Sequence, residues 1–329
     1  MKAAVNERYG PPGVVKIRDI PKPEPSAGEV LVKVHATTVS RTDCGMRRGH
    51  PFFIRAFSGL LRPKITVLGM DFGGEVEAAG SGVKSFKPGD RVFGLSPDSY
   101  GAHAEYLCVP ENGPIATMPA TLRYAEAVLC EGAWYANTYL HDFNLKPGHS
   151  ILIYGASGAI GTAAVQLAKS CGAEVTAVAS AEHMDLVRSL GADHAVDYTA
   201  GDFTKIDRTY DFVLDAVGKT SFFECRPLLK PDGRFSATDL GPWWQNMWLP
   251  IWMSMKGSRR VTFPMPKCSK AVIEFIKARI EAGELRAVID RVCRLDDIVE
   301  TYRYVETAKK TGIVVIQVIP DDGFRPSGA

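Results

Sequence analysis

At 329 residues the chain exceeds one typical core and predicts about two domains. Hydrophobic residues make up 46% and charged residues 23%, an ordinary globular balance, and a formal net charge of +2 offers no basic footprint for nucleic acid. Seven scattered cysteines with no C-x-x-C pair argue against a disulfide framework or a thiolate zinc cluster, and the seven histidines show no H-E-x-x-H spacing. The opening Met1-Lys2-Ala3-Ala4-Val5-Asn6-Glu7 lacks an apolar signal region, and no run reaches about 18 apolar residues. The expectation is a cytoplasmic protein with small-molecule partners, no nucleic acid and no membrane.

Up to about residue 120 the chain reads as strands and turns: Val30 to Val34 alternates, and Pro11-Pro12-Gly13, Lys87-Pro88-Gly89-Asp90 and Ser96-Pro97-Asp98 punctuate it. From Tyr124 to about Pro264 helices and strands alternate, which predicts a parallel, doubly wound sheet. Strands are expected at Ile151 to Tyr154, Glu174 to Ala179, Phe212 to Ala216 and Gly233 to Ala237, with helices over Thr162 to Cys171 and Ala181 to Leu190. The last part predicts helices at Lys270 to Ala282 and Leu295 to Thr307, then an apolar strand, Ile313 to Ile319, that returns to the first domain.

The most informative segment is Gly155-Ala156-Ser157-Gly158-Ala159-Ile160-Gly161, lying between a strand and a helix. Glycines there allow a tight turn and close approach of backbone to a pyrophosphate, while the helix N-terminus presents free N–H groups. All seven residues are candidate dinucleotide contacts.

These features resemble the medium-chain dehydrogenase/reductase superfamily, in its zinc-independent quinone oxidoreductase-like branch. The likeness runs through Gly28 to Val34, Gly69 to Val76, Phe86 to Val92, Gly101 to Tyr106, the glycine turn, Leu190 to Asp193 and Asp215 to Gly218. It implies an α/β protein: a Rossmann doubly wound parallel sheet domain, 125–264, plus a GroES-like β-rich catalytic domain from 1–124 and 265–329, in a homodimer. Zinc-bearing relatives place a cysteine ligand before a Thr-Asp pair and carry Gly-His-Glu, whereas this chain has Ser40-Arg41-Thr42-Asp43 and Gly69-Met70-Asp71. A hydroxyl and a thioether do not replace thiolate and imidazole around Zn²⁺, so the expected site has no metal.

Charge developing on a substrate oxygen must then be met by hydrogen-bond donors. The resemblance places Ser40, Thr42 and Asp43 beside the nicotinamide, with Tyr135 as a further catalytic candidate; a turn and cap network around Asp43 is the competing reading. Expected chemistry is NAD(P)H-dependent reduction of quinones or α,β-unsaturated carbonyls. The alternatives are an alcohol or aldehyde dehydrogenase of the same superfamily and a non-catalytic NADPH-binding redox sensor.

Ser180 stands where NAD-selective folds carry an acid, which leaves room for a 2′-phosphate; with His183 and Tyr198 it favours NADPH, while Glu182 opposes it and keeps NADH as the alternative. Ala216, Val217, Leu240 and Gly241 are expected along the nicotinamide ribose. Trp243, Trp244, Trp248 and Trp252 are four of the five tryptophans, and a spacing of about four residues puts Trp244, Trp248 and Trp252 on one helical face. That segment reads as a wall for an apolar substrate, as a core or subunit contact, or as a membrane-surface anchor, for which only Lys256, Arg259 and Arg260 just beyond it supply charge. Phe52, Phe53, Trp134, Trp243 and Trp244 are the substrate candidates, with Arg47 to Arg55 as the opposite lip.

Overall fold

The computed structural model describes residues 1–255, 257 and 260–319, without the side chains of Phe57 and Pro242. Lys256 and Arg259 therefore lie outside the described residues. In chain order the elements are β1 (Lys2–Val5), β2 (Lys16–Asp19), β3 (Glu29–Thr38), α1 (Arg41–Arg48), α2 (Ile54–Ser58), β4 (Asp71–Ala79), β5 (Arg91–Leu95), β6 (Tyr106–Pro110) and β7 (Ile115–Thr117). There follow α3 (Tyr124–Ala127), α4 (Cys130–Phe143), β8 (Ser150–Tyr154), α5 (Ala159–Ser170), β9 (Glu174–Ala179), α6 (Met184–Ser189), β10 (His194–Asp197), β11 (Tyr210–Asp215) and α7 (Phe222–Cys225). The chain ends on β12 (Leu229–Ala237), α8 (Gln245–Met255), β13 (Val261–Thr262), α9 (Lys270–Glu281), β14 (Ile289–Arg294), α10 (Ile298–Glu306) and β15 (Ile313–Gln317).

The chain divides into two compact units. The first holds Met1–Glu131, Cys268–Ala282 and the chain from Arg286 on; the second holds Gly132–Lys267 with Gly283–Leu285. The first boundary falls inside α4, a few residues after the 124/125 break that the resemblance implies, and α3 packs on β3, β4 and β15. In the first unit a seven-stranded sheet runs β14-β15-β3-β4-β5-β7, with β6 pairing β3 as well. β15 pairs antiparallel with β3, Val315 opposite Thr38, so the end of the chain completes a sheet begun near its start. Val30, Val32, Val34, Phe72, Val92 and Ile115 fill the core of this unit.

In the second unit six parallel strands run β10-β9-β8-β11-β12-β13. The chain first winds outward from β8 through β9 to β10, then crosses back to β11 and winds the other way. Order reverses between β8 and β11, and ligands of doubly wound sheets bind beyond the carboxyl ends of the strands at that switch. Leu152, Val178, Val213, Phe235 and Leu249 are buried beneath it. Among the described residues no helix is long and apolar enough to cross a membrane.

Candidate functional site

In the second unit, β8 ends at Tyr154 and the chain turns sharply through Gly155, whose φ of +76° lies in the left-handed region. A Cβ there would meet the Val217 side chain at 2.5 Å, and one on Gly161 would come within 2.1 Å of the Gly155 carbonyl oxygen. The amides of Gly155 and Ala156 both donate to Val178 O, at 3.0 and 3.1 Å, and Ala156 is fully buried. These residues thus build the turn itself. Gly158 is the N-cap of α5 and contributes no side-chain cap; a Cβ there would find only Gly155 O, at 3.5 Å. Open space over an uncapped helix N-terminus, flanked by the half-exposed Ser157, Ala159 and Ile160, fits a pyrophosphate.

The loop after β11 flanks the same turn. Asp215 is buried, and its carboxyl accepts the amides of Val217, Gly218 and Thr220 at 2.8 to 2.9 Å. Burial pushes this carboxyl up to about 6 against those hydrogen bonds. The result is a fixed loop in which Ala216 is buried and Val217 is 38% exposed. Farther along, Gly241 has a φ of +68°, and Leu240 O accepts the Asn246 amide at 3.0 Å.

At the end of β9 the Ser180 hydroxyl donates to Glu182 Oε1 at 3.3 Å, and His183 Nε2 lies 3.7 Å from the same oxygen. Both residues expected to serve a 2′-phosphate are thus engaged with Glu182. Tyr198 is 44% exposed, with its ring edge-on to Tyr154.

The tryptophan segment departs from expectation. Trp243 and Trp244 have φ of 54° and 57°, and α8 starts only at Gln245, so Trp244 does not share the helical face of Trp248 and Trp252. Trp243 is 93% exposed, and its carbonyl accepts the Trp248 indole N–H at 3.2 Å. Trp134 is instead buried, its Nε1 without a hydrogen-bond partner among the described residues, and its ring meets that of the half-buried Tyr135 at 5.1 Å. Arg260 donates to the carbonyls of Gly233 and Lys230.

In the first unit, Ser40 caps α1. Its hydroxyl donates to Asp43 Oδ2 at 2.9 Å, the Asp43 amide returns a bond to Ser40 Oγ at 3.1 Å, and the Ser40 amide donates to Asp43 Oδ2 at 2.9 Å. Asp43 Oδ1 accepts the Gly69 amide at 3.0 Å. This is the cap network that competed with a direct catalytic role. Thr42, half-buried two residues after Ser40, donates instead to Glu131 Oε1 at 2.6 Å. Asp71, beside the buried Met70, accepts the Glu131 amide at 3.0 Å and the Thr38 hydroxyl at 3.0 Å, so a strand carboxylate caps the start of α4.

Nothing in the sequence pattern marks Asp71 or Glu131 as a site residue beyond an unexpected charge: each sits among apolar neighbours, Met70 and Phe72 or Cys130 and Gly132. Burial raises Asp71 well above the usual carboxylate range, and the nearness of Glu131 adds to it. Burial, then Asp43, pushes Glu131 up to about 7, while the Thr42 and Ser40 hydroxyls pull it back. Lys310, which donates to Gly312 O at 2.5 Å, is lowered to about 8 by burial despite the attraction of Glu131. Among the described residues no three His, Cys, Asp or Glu side chains are grouped to hold a metal ion.

The aromatic loop near α2 is partly exposed: Phe52 at 64%, under the Arg55 guanidinium, and Phe53 at 38%. Arg47 does not join it as a lip. Its side chain is fully buried, bonded to Gly10 O and Glu306 and set over the Tyr302 ring.

Residues 26–120 match the alcohol dehydrogenase GroES-like domain model and residues 190–316 the zinc-binding dehydrogenase model. The chain is 31% identical to the mitochondrial NAD(P)H oxidoreductase RTN4IP1 of Danio rerio, over 89% of this chain and 84% of that protein. It is 31% identical to the chloroplastic NADPH-dependent alkenal/one oxidoreductase of Arabidopsis thaliana, over 97% and 80%. The solved quinone oxidoreductase of Coxiella burnetii superposes with a TM-score of 0.86 at 28% identity, covering 97% of this chain and 99% of that one. With the glycine turn at the strand-order switch and the mixed sheet closed by both chain ends, the chain belongs to the medium-chain dehydrogenase/reductase superfamily, in its quinone oxidoreductase-like branch.

Proposed function

We propose that the protein is an NADPH-dependent reductase of quinones or α,β-unsaturated carbonyls. The observation that carries this reading is the uncapped, glycine-lined start of α5 at the switch between β8 and β11, in a chain whose relatives include an alkenal/one oxidoreductase. Gly158, Ser157, Ala159 and Ile160 would hold the pyrophosphate, and Ala216, Val217, Leu240 and Gly241 the nicotinamide ribose. The bound nicotinamide would supply the hydride. Thr42, with Ser40 and Asp43 fixing its helix, is the hydroxyl donor toward the reduced substrate; Tyr135 is the second. Phe52, Phe53, Trp243 and Trp244 would give the substrate an apolar surface, while Trp134 lies buried behind Tyr135. The reading extends to a cytoplasmic homodimer that works without zinc.

NADPH rests on Ser180, His183 and Tyr198 and on the relatives' cofactor. Glu182 works against it, since a carboxylate near a phosphate is repulsive. The test is oxidation of NADPH and NADH with a panel of quinones, enones, aldehydes and alcohols, repeated on Glu182→Ala. Turnover of enones or quinones is expected, with NADPH binding about tenfold tighter in the variant, a change worth about 1.4 kcal/mol. Turnover of alcohols alone, or none with any electron-poor alkene or quinone, would overturn the reading.

A further inference from the structure

Three buried or nearly buried carboxyls of the first unit act on one another electrostatically: Asp43 from α1, Asp71 from β4 and Glu131 from the first turn of α4. Asp43 and Asp71 are already committed. Asp43 serves Ser40 and Gly69, and Asp71 serves Thr38 and the Glu131 amide. Glu131 differs, because its carboxyl is met by the hydroxyl of the half-buried Thr42 at 2.6 Å. A nearly buried carboxyl is thus bonded to one rotatable, partly exposed hydroxyl.

We propose that Glu131 is the proton store behind Thr42, refilling that hydroxyl after it protonates the reduced substrate. This rests on the reductase reading and deepens it. When hydride has reached the β-carbon of an enone, an enolate is left. The Thr42 O–H bond breaks as its proton forms a C–H bond at the enolate α-carbon, and the Glu131 carboxyl proton passes to Thr42 Oγ. Glu131 is left as a carboxylate and recovers a proton from solvent. Substrate gains one hydride and one proton, and the protein returns to its starting state.

The electrostatics agree with the geometry. The charged groups acting on Glu131 are Asp43 from α1, Asp71 from β4 and Lys310 before β15; Lys310 in turn faces Asp290 of β14 and Arg41 and Cys44 of α1, and Cys130, next to Glu131 on α4, faces Asp71. Burial with Asp43 outweighs Lys310 and the two hydroxyls, so Glu131 keeps its proton up to about pH 7. A store near neutrality suits a proton donor. Glu131 is a positioning residue here, because it acts only through Thr42.

Glu131→Gln, Thr42→Val and Thr42→Ser test this, with two readouts. First, infrared spectra of the cofactor-free protein should show a carboxylic acid C=O band, absent in Glu131→Gln, that fades as pH rises through about 7. Second, kcat for an enone should fall as pH rises through the same range in the wild type. In Glu131→Gln it should be about a hundredfold lower and flat there. Thr42→Val should match that loss and Thr42→Ser should recover most of it. Quinone reduction should suffer less, because a hydroquinone anion is a far weaker base than an enolate and takes its proton from water. A carboxylate already ionised at about pH 6, or an unchanged enone pH profile in Glu131→Gln, overturns the proposal. A wild type that turns over neither enones nor quinones overturns the reductase reading and the relay with it, and the infrared band then separates a stored proton from a used one.

Discussion

The glycine turn separates two jobs that a sequence motif merges. Gly161 is there for packing: a Cβ would sit 2.1 Å from Gly155 O and 2.7 Å from Ala156 Cα, both backbone atoms that cannot step aside. Gly158 is there for space. With a φ of −78° it tolerates a side chain, and a Cβ would meet nothing closer than 3.5 Å. Gly161→Ala is therefore expected to destabilise the protein by about 2 kcal/mol through overpacking, and to weaken cofactor binding as a consequence. Gly158→Ala should leave the melting temperature nearly unchanged while weakening NADPH, since the methyl occupies the room the pyrophosphate needs. Thermal melts and cofactor titrations on the two variants check this; equal losses of stability would refute the division of labour.

Elements succeed or fail in the sequence according to how local their causes are. Strands β8 and β9 and helix α5 were legible because alternation, glycine spacing and apolar runs all lie within a few residues of one another. Arg47 was not. In Arg47-Arg48-Gly49-His50 it reads as part of a solvated lip, yet its partner Glu306 lies 259 residues away on α10, and no local pattern reports that. The tryptophan spacing misled for a related reason. Four-residue intervals promise one face only if the helix has begun, and the backbone at Trp243 and Trp244 is still left-handed. The α1–α10 pair is also where an element can be tested. Glu306 accepts from Arg48 at 3.0 Å as well as from the buried Arg47, so Glu306→Gln leaves a guanidinium in the core without its counter-charge. A loss of about 3 kcal/mol is expected by chemical denaturation. A loss below about 1 kcal/mol, the worth of a surface pair, would show that Gly10 O and the Tyr302 ring suffice for Arg47.

For the whole molecule, both sheets and the cofactor turn were readable, and the site in the first unit was only half so. Ser40, Thr42 and Asp43 stood out as a motif, but the carboxyls that give them meaning, Asp71 and Glu131, come from a strand and a helix far along the chain. What joins them is burial, and burial has a signature in the pH dependence of stability. Glu131 has a folded pKa raised from 4.5 to about 7, so its contribution is fully present below about pH 4.5 and is lost as pH rises through about 7. Asp215, raised to about 6 in the second unit, acts in the same sense. Lys310, lowered to about 8, acts in the opposite one: its contribution is present above about pH 10.5 and is lost as pH falls through about 8. Raw stability against pH would mix all three, so the useful quantity is the difference between wild type and Glu131→Gln. Gln keeps the volume and cannot ionise. The variant should gain on the wild type steadily from about pH 4.5 to about pH 7 and then level off, with a total swing of at most about 3 kcal/mol. Melting temperatures of the two proteins across that range measure it. A flat difference would mean that Glu131 ionises in the folded protein as it does in the unfolded chain, and that the hydroxyls of Thr42 and Ser40 compensate its burial in full.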